Sequence, residues 1–431
     1  MGGLNNKMHL KVDVMSLRKG MFVADLDRDW RETSFLLQGF LIQNTTQLAQ
    51  LRESCEYVYV DPAKSTIPVG LPAQPERAPA VETPRRVVRR IRRGPLPDLR
   101  GHSDPAAFRQ ELGRATQVQI RTHAYLRRAF EDVRMGASVN TEEARAVVTA
   151  LVDTISVNVN ASLWLTNLRN KDEYTSIHSM NVCILAIAFG RHLGLGNEEL
   201  KTLGLGALLH DIGKIKTPLE VLNKPGKLTP EEFEIMKRHP VEGHDLVLSS
   251  GDRLPPMTLS IIRHHHERLA GNGYPDRWSD ERIPLPVLIT SVVDVYDAVT
   301  SDRCYHDGMP AHRGLQLLYD IAPDSFGREL VEEFIRCVGI YPVGSLVELT
   351  TGEIGIVLSA DTRHRLKPLI RLLRAPDGTP YGEKQLINLS DLADTEANWR
   401  QWGIKKVLEP ADYGIDIKGL VAEDFSLQSL N

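Results

Sequence analysis

The chain has few cysteines and no long apolar run, and each of these shortages argues against particular classes of protein. Its four cysteines, Cys55, Cys183, Cys304 and Cys337, are scattered without a C-x-x-C pair. Neither a disulfide framework nor a cysteine zinc site is therefore indicated. No stretch approaches the roughly 18 consecutive apolar residues that a membrane-spanning helix needs, and the first residues contain no apolar signal segment. We therefore expect a cytoplasmic protein without a membrane partner.

The chain also lacks a large excess of either charge. Its 52 basic and 56 acidic residues give a formal net charge of −4, which argues against broad binding of a nucleic acid polymer. Apolar residues make up 42% and charged residues 25%, as in globular proteins. At 431 residues the chain is too long for one core, because single cores stop growing near roughly 250 to 300 residues. Any phosphate-binding site must be local.

Four segments differ in pattern. Residues 8–62 carry short apolar stretches between turn residues, which is typical of a small β-rich domain with one helix. A proline-rich linker follows at 63–105, and six of the nine residues 85–93 are arginine. Helical periodicity covers 106–335, and strand patterns occupy 336–431. The sequence predicts a multidomain protein in which an all-α domain is flanked by an N-terminal α+β domain and a C-terminal β extension.

Two helix starts are marked by the spacing of a capping box. Asn140 precedes Glu143 by three residues, and Thr229 precedes Glu232 in the same way. Pro230 then stands at the first helical position, where its missing N–H costs nothing. We therefore expect helices to begin at these two caps.

Asp211 is the first candidate for chemistry. If residues 199–214 form one helix that begins near Asn197, Asp211 lies on the same stripe as Leu200 and Leu203. An unpaired carboxylate in an apolar interior is too costly to persist, so it needs a cation or strong hydrogen bonds. A metal ion would supply that cation. On this evidence alone, backbone groups or an arginine would serve equally.

Other candidate ligands lie in neighbouring apolar segments. A lone histidine in an apolar helix, such as His178, is more often a core residue whose hydrogen bonds are satisfied. His239 lies at the predicted end of the helix from Pro230, where a histidine interacts favourably with the helix dipole. Together, however, these residues indicate a metal pocket: His178, His239, His264, His265, His266, Asp294 and Asp297. Imidazole and carboxylate without thiolate suit Fe or Mn, with Zn or Ni as alternatives, and a bridging aspartate suits two ions that activate water for attack on phosphorus.

Four motifs carry a family resemblance: HDIGK at 210–214, HPVEG at 239–243, HHERLAGNGYP at 265–275 and DVYDAVTSDRCYH at 294–306. Through them, residues 160–335 resemble the HD-GYP phosphodiesterases, HD-domain hydrolases that cleave the bacterial second messenger cyclic di-GMP. The stretches LRKGMFVADLDRDW and FLLQGFLI are similar to the domain of unknown function often found ahead of this catalytic unit. The resemblance implies a phosphodiesterase that releases linear pGpG, GMP or both.

The resemblance also implies roles for single residues. The metal ligands would be His178, His210, Asp211, His239, His265, His266 and Asp294, with Asp211 bridging two divalent ions. His264 and the dipeptide His244-Asp245 would lie outside that set. Lys214 would hold the scissile phosphate as a catalytic residue, and Arg303 and Tyr274 would contact substrate.

Two positions depart from the family pattern. The family's Arg-Pro-Tyr-Arg stands here as Arg303-Cys304-Tyr305-His306, so His306 is expected to give a weaker substrate contact. In the family that the chain resembles, members with three metal ions carry a glutamate four residues before the first histidine ligand. Tyr174 stands at that position in this chain. The resemblance therefore favours two ions.

Other functions stay open at this point. A degenerate HD-GYP domain could act as a scaffold that docks diguanylate cyclases through the GYP loop, and an HD hydrolase could act on another nucleotide. The intact set of seven ligands argues against the scaffold, and the GYP segment argues against another nucleotide. A homodimer also stays open.

Overall fold

The computed structural model describes residues 10–27, 39–62, 64–67, 105–166, 174–251, 253–301, 308–359, 367–391, 402–417 and 419–420. The chain divides into two compact units, residues 1–83 and 84–431, each with its own core. The arginine run at 85–93 lies outside the described residues.

The first unit is a small antiparallel sheet with one helix. Its described strands pair in the order β1-β4-β2-β3 and are β1 (Leu10–Asp13), β2 (Phe22–Leu26), β3 (Phe40–Leu41) and β4 (Tyr57–Val60). Helix α1 (Thr45–Ser54) is capped by Asn44, whose side chain accepts from the Gln47 amide. Apolar side chains such as Val23 and Leu51 form the core between them. The predicted β-rich domain with one helix is confirmed.

Helices dominate the second unit as far as Val338. They are α2 (Pro105–Arg134), α3 (Thr141–Val157), α4 (Val159–Leu165), α5 (Tyr174–His192), α6 (Asn197–Leu209), α7 (Leu219–Leu222), α8 (Pro230–Met236), α9 (His239–Leu248), α10 (Pro256–His264), α11 (Leu285–Thr300), α12 (Ala311–Ser325) and α13 (Arg328–Val338). Asn140 caps α3, and Thr229 and Glu232 exchange both bonds of a capping box at α8. Both predicted helix starts are confirmed.

Helix α5 forms the centre of this unit. Every residue from 178 to 190 is buried, and α6 and α11 pack on it. Two glycines let α6 approach its neighbours closely, because a Cβ at Gly204 would lie 2.8 Å from Ile187 of α5 and one at Gly206 would lie 2.7 Å from Ile261 of α10. Helix α6 is thus packed closely against both α5 and α10.

Two local predictions about the helices are wrong. The segment predicted as one helix over 199–214 begins at Asn197, near the predicted start, but it ends at Leu209. Asp211 lies in a tight turn with φ −101° and ψ 6°, followed by a 3-10 helix at Ile212–Lys216. His239 begins α9 instead of ending α8. Both errors come from treating a helix end as a continuation, because apolar periodicity does not show where a chain turns.

The second unit closes with a five-stranded antiparallel sheet in the order β8-β7-β6-β5-β9. Its strands are β5 (Leu346–Leu349), β6 (Ile354–Ser359), β7 (Leu369–Arg374), β8 (Pro380–Asn388) and β9 (Ile404–Leu408). The predicted C-terminal β extension is confirmed, although β8 and β9 were not predicted. Both are edge strands, which often carry charged residues, and Lys405 and Lys406 interrupt the apolar pattern of β9.

No single described helix is both long enough and apolar enough to cross a bilayer, and α3 with α4 reaches that composition only as a pair bent by 119°. Cys55, Cys183 and Cys337 are buried, and Cys304 lies outside the described residues.

Candidate metal centre

Three of the predicted ligands stand just past the last turn of a helix and share one hydrogen-bond pattern. They are His210 after α6, His239 after α8 and His265 after α10. Each Nδ1 donates to the carbonyl three residues earlier, over 2.7 Å to Ala207, 2.7 Å to Met236 and 2.9 Å to Ile262. The last carbonyls of a helix have no partner within it, so they are available to accept. Each Nε2 therefore carries a lone pair that faces the pocket.

These lone pairs need a cation. The Nε2 atoms of His239 and His265 lie 3.3 Å apart, and two lone pairs at that distance repel each other. Within the described residues, His210 Nε2 and Asp211 Oδ1 are buried and receive no hydrogen bond. A buried carboxylate left this way is costly unless a cation lies beside it. The residues present therefore fit a metal ion.

Asp211 lies between two groups of nitrogen atoms. Its Oδ2 is 3.3 Å from His210 Nε2 and 3.6 Å from His178 Nε2, while its Oδ1 is 3.3 Å from His239 Nε2 and 4.0 Å from His265 Nε2. Each carboxylate oxygen thus faces a different pair of histidines. Two groups of three side chains have ligand atoms close enough for one ion: His178 with His210 and Asp211, and His239 with His265 and His266.

Charges around the pocket keep Asp211 ionised. Burial by itself would raise the pKa of its carboxyl group, but the positive charge of Lys214 helps to hold that pKa well below the ordinary value. Lys214 Nζ lies 2.5 Å from Asp211 Oδ2 and its side chain is 20% exposed, so the ammonium group stands between the buried carboxylate and solvent. Burial, together with the neighbouring histidines, lowers the pKa of His265 and His266 well below the ordinary value. Both rings are neutral and available as ligands.

Helix α11 contributes two aspartates that hold His178 from opposite sides. Asp294 Oδ1 lies 3.1 Å from His178 Nε2, and Asp297 Oδ2 lies 2.7 Å from His178 Nδ1. Burial alone would lower the pKa of His178, but these hydrogen bonds raise it to about 9. A metal ion at Nε2 would take the place of a proton there. Asp297, which shares a face with Asp294 three residues earlier, therefore orients the imidazole without being a ligand.

Sequence reasoning missed the residues that hold Asp297 itself. Asn181 Nδ2 donates to its Oδ1 over 3.1 Å, and the Ser301 hydroxyl donates to its Oδ2 over 3.0 Å. A signal was present in the sequence, since Asn181 lies three residues after His178 in a helix that is otherwise strongly apolar. A buried amide on the same face as a ligand indicates a supporting hydrogen-bond network.

Replacing Asp297 with asparagine is expected to weaken metal binding by roughly 10- to 100-fold, because supporting carboxylates raise the basicity of a ligating imidazole. Equilibrium dialysis against a metal-buffered solution measures this directly. Ser301→Ala is the control, since it removes one hydrogen bond from Asp297 but leaves its charge, and its effect should be much smaller. Equal losses in the two variants would show that general disruption, and not the carboxylate, weakens binding.

The loop that carries the GYP residues is fixed beside the pocket. The buried Glu267 carboxylate accepts from the amides of Asp276 (2.7 Å) and Trp278 (2.9 Å). A Cβ at Gly273 would lie 2.5 Å from Glu267 Cα, so this turn requires glycine. Tyr274 stacks on the His266 ring, with centroids 4.6 Å apart. The loop thus covers one face of a predicted ligand.

The three consecutive histidines separate into two environments. His265 and His266 face the pocket, where His266 Nδ1 lies 3.8 Å from Asp294 Oδ2. His264 turns toward the loop, pairs with Asp276 over 2.9 Å and stacks on Trp278 with centroids 3.6 Å apart.

The second His-Asp dipeptide also lies apart from the cluster. His244 pairs with Asp245 over 3.0 Å, and the Asp245 side chain is 68% exposed. Neither residue belongs to the two groups of side chains, among the described residues, that could hold a metal ion.

A backbone contact between two motifs depends on glycine. A Cβ at Gly213 would lie 2.0 Å from the His239 carbonyl oxygen and 2.4 Å from the Gly243 amide nitrogen. Both atoms belong to the backbone, so they cannot rotate away. The glycines of HDIGK and HPVEG therefore let these two segments meet beside Asp211.

We expect Gly213→Ala to destabilise the fold by about 3 kcal/mol or more, because overpacking against backbone is among the costlier single changes. Urea unfolding followed by circular dichroism measures the change. The matched control is Gly382→Ala, where a Cβ would meet no atom within 4 Å. A Gly213→Ala protein as stable as the control would contradict the close contact.

The structure does not describe the side chains at three positions named in the sequence analysis. Arg303 and His306 lie outside the described residues, and the side chain of Tyr174 is not described. Their predicted roles stay predictions.

Family models match three parts of the chain. They are described as "Domain of unknown function (DUF3391)" at residues 9–144, "HD domain" at 164–330 and "KOW domain associated with HD domain" at 346–413. The first match extends beyond residue 105, so the predicted domain boundaries stay predictions. The second match includes all seven predicted metal ligands.

The chain is also similar to named proteins. It is 34% identical to the cyclic di-GMP phosphodiesterase PA4108 of Pseudomonas aeruginosa over 90% of each chain. It is 34% identical to the cyclic di-GMP phosphodiesterase response regulator RpfG of Xanthomonas campestris pv. campestris, over 54% of this chain and 59% of that one. Among solved structures, the HDG"Y"P protein Bd1817 from Bdellovibrio bacteriovorus covers 76% of this chain and 98% of its own, with 19% identity and a TM-score of 0.44. Since the similarity to PA4108 spans nearly the whole of both chains, this chain belongs to the HD-GYP family of cyclic di-GMP phosphodiesterases.

Proposed function

We propose that this protein is a metal-dependent phosphodiesterase that hydrolyses cyclic di-GMP to linear pGpG, GMP or both. The observation that carries the proposal is the Asp211 carboxylate, whose two oxygens face two different pairs of histidine nitrogens. An N/O cluster of this kind suits the hydrolysis of phosphate esters. The substrate is proposed from the names of PA4108 and RpfG.

The cluster supports a site for two divalent ions. Its ligands would be His178, His210, Asp211, His239, His265, His266 and Asp294. Imidazole and carboxylate donors without thiolate favour Fe or Mn, with Zn or Ni as alternatives. When bound, such ions stabilise charge on phosphoryl oxygens and make water a stronger nucleophile at neutral pH.

The chain's own groups would bind and orient the substrate around this cluster. Lys214 already directs its ammonium group at the pocket, so phosphate oxygens would compete with Asp211 for it and be held by its charge. Burial raises the pKa of the Tyr274 phenol, which therefore keeps its proton and remains a hydrogen-bond donor beside the guanine. Arg303 and His306 stay proposed contacts to the sugar-phosphate backbone. His210 and His265 are fully buried, which keeps bulk water from most of the cluster.

The remaining predictions about partners are kept as proposals. A cytoplasmic location agrees with four cysteines that are scattered along the sequence and with a nucleotide substrate. Docking of diguanylate cyclases would use the GYP loop, of which Asn272 is exposed. A homodimer also stays a proposal.

The proposed function is tested by purifying the protein with its metals and following cyclic di-GMP by chromatography. We expect conversion to pGpG or GMP, loss of that activity after chelation, and recovery on adding back Fe²⁺ or Mn²⁺. Elemental analysis of the active protein gives the number and identity of the ions. A parallel assay with 3′3′-cGAMP tests the alternative of another nucleotide. Turnover of cGAMP without turnover of cyclic di-GMP would replace the proposed substrate, and metal-loaded protein inactive on both would favour the scaffold.

A further inference from the structure

We propose that Phe233 is a stacking site for one purine base of the cyclic dinucleotide, an assignment that rests on the proposed function. Phe233 lies on α8 and is 46% exposed, more than any other phenylalanine, tyrosine or tryptophan side chain whose exposure the structure describes. A single exposed apolar side chain needs no explanation by itself. The position of this ring relative to the metal centre is what points to a ligand.

Three rings lead outward from the predicted metal ligands. The His266 ring is stacked on Tyr274, with centroids 4.6 Å apart and planes at 29°. The Tyr274 ring then meets Phe233 edge to face, with centroids 6.2 Å apart and planes at 83°. Phe233 therefore presents a ring at the rim of the pocket, next to the loop that covers His266.

Helix α8 is hydrogen-bonded to the candidate metal centre, although none of its residues is buried. The carbonyl of its last residue, Met236, accepts the Nδ1–H of the predicted ligand His239 over 2.7 Å. The same helix thus orients a ligand at its end and presents the exposed ring one turn earlier. A base that rests on Phe233 would be held at a set position relative to the metal cluster.

The chemistry of the ring indicates the class of ligand. A nucleobase stacks on an aromatic side chain through its π face, without requiring hydrogen bonds to a particular base edge. Lys237 Nζ lies 5.3 Å from the centroid of the Phe233 ring, but it also lies 2.5 Å from Glu234 Oε1. Its charge is already paired, so we assign it no phosphate. The site is therefore a stacking surface for a purine and not an anion site.

Two substitutions separate stacking from simple apolar contact. Phe233→Leu keeps an apolar side chain but removes the π face, and it is expected to raise KM for cyclic di-GMP about 10-fold, as the loss of one base stack does, with kcat within about 2-fold of the parent. Phe233→Trp keeps the stack and should have a KM equal to or below that of the parent. Leu248→Ala, which trims a 56% exposed leucine on α9, is the control and should match the parent.

A substrate without a purine gives the second measurement. For methyl p-nitrophenyl phosphate, kcat/KM should be the same in Phe233→Leu and in the parent, at equal metal content. A KM for cyclic di-GMP unchanged by Phe233→Leu would overturn the stacking site, and so would an equal loss on both substrates, which would mean damage to the metal centre. The parent tests the proposed function separately, because a parent that does not turn over cyclic di-GMP contradicts the function whatever the variants do.

Discussion

Replacing Asp211 with asparagine is expected to lower turnover of cyclic di-GMP by about three orders of magnitude or more and to reduce the bound metal. The carboxylate faces both pairs of histidine nitrogens, so its loss weakens both parts of the cluster at once. Metal ions supply several kcal/mol of charge stabilisation in such reactions, and each 1.36 kcal/mol is about tenfold in rate. The amide has nearly the same shape, and it removes a buried charge, so the fold should survive.

Three measurements check this prediction: chromatographic turnover, elemental analysis and thermal unfolding. The chain provides a matched control in its second His-Asp dipeptide, because Asp245→Asn makes the same change at an exposed side chain outside the cluster. That variant should equal the parent in all three measurements. Parent-like activity in Asp211→Asn would refute the metal assignment, whereas an unfolded variant would show that the carboxylate also supports the apo fold.

The second large effect concerns the three consecutive histidines, each replaced in turn by glutamine. His265→Gln and His266→Gln should each lower activity by at least about 100-fold and reduce metal content, because each removes an imidazole that faces the pocket. His264→Gln should keep full metal content and activity within about 3-fold of the parent. It should instead lower the stability of the GYP loop by about 1 kcal/mol, since it removes a hydrogen bond to Asp276 and a stack on Trp278.

Activity, elemental analysis and unfolding midpoints on the same three proteins separate these outcomes. The series is its own control, because one substitution is made at three neighbouring positions. If His264→Gln were the inactive variant and His266→Gln the active one, the ligand register assigned here would be wrong by one residue.

The sequence by itself determined the class of the protein and most of its chemistry. The apolar surroundings of Asp211 and the histidines together indicated a metal pocket, although for Asp211 alone backbone groups or an arginine would have served equally. The motifs then implied the family, which the similarity to PA4108 confirmed. The family could be inferred because its motifs are recognised by residue type and spacing, which the sequence shows directly.

Helix ends were decided only by the tertiary structure. Sequence periodicity placed Asp211 inside a helix and His239 at the end of one, whereas Asp211 lies in a turn and His239 begins α9. The close contact at Gly213 requires that turn, and it involves backbone from the distant HPVEG segment. A pattern within one segment cannot show a contact that another segment imposes.

The position of the proton on four of the predicted histidine ligands was likewise decided by the tertiary structure. The terminal carbonyls of three helices fix the Nδ1–H of His210, His239 and His265, and Asp297 accepts that of His178. His264 is kept out of the pocket by Asp276 and not by its own residue type, which it shares with both neighbours. The sequence therefore predicted which side chains form the metal cluster, and the packing of helix ends and of Asp297 determined which nitrogen of His178, His210, His239 and His265 faces the pocket.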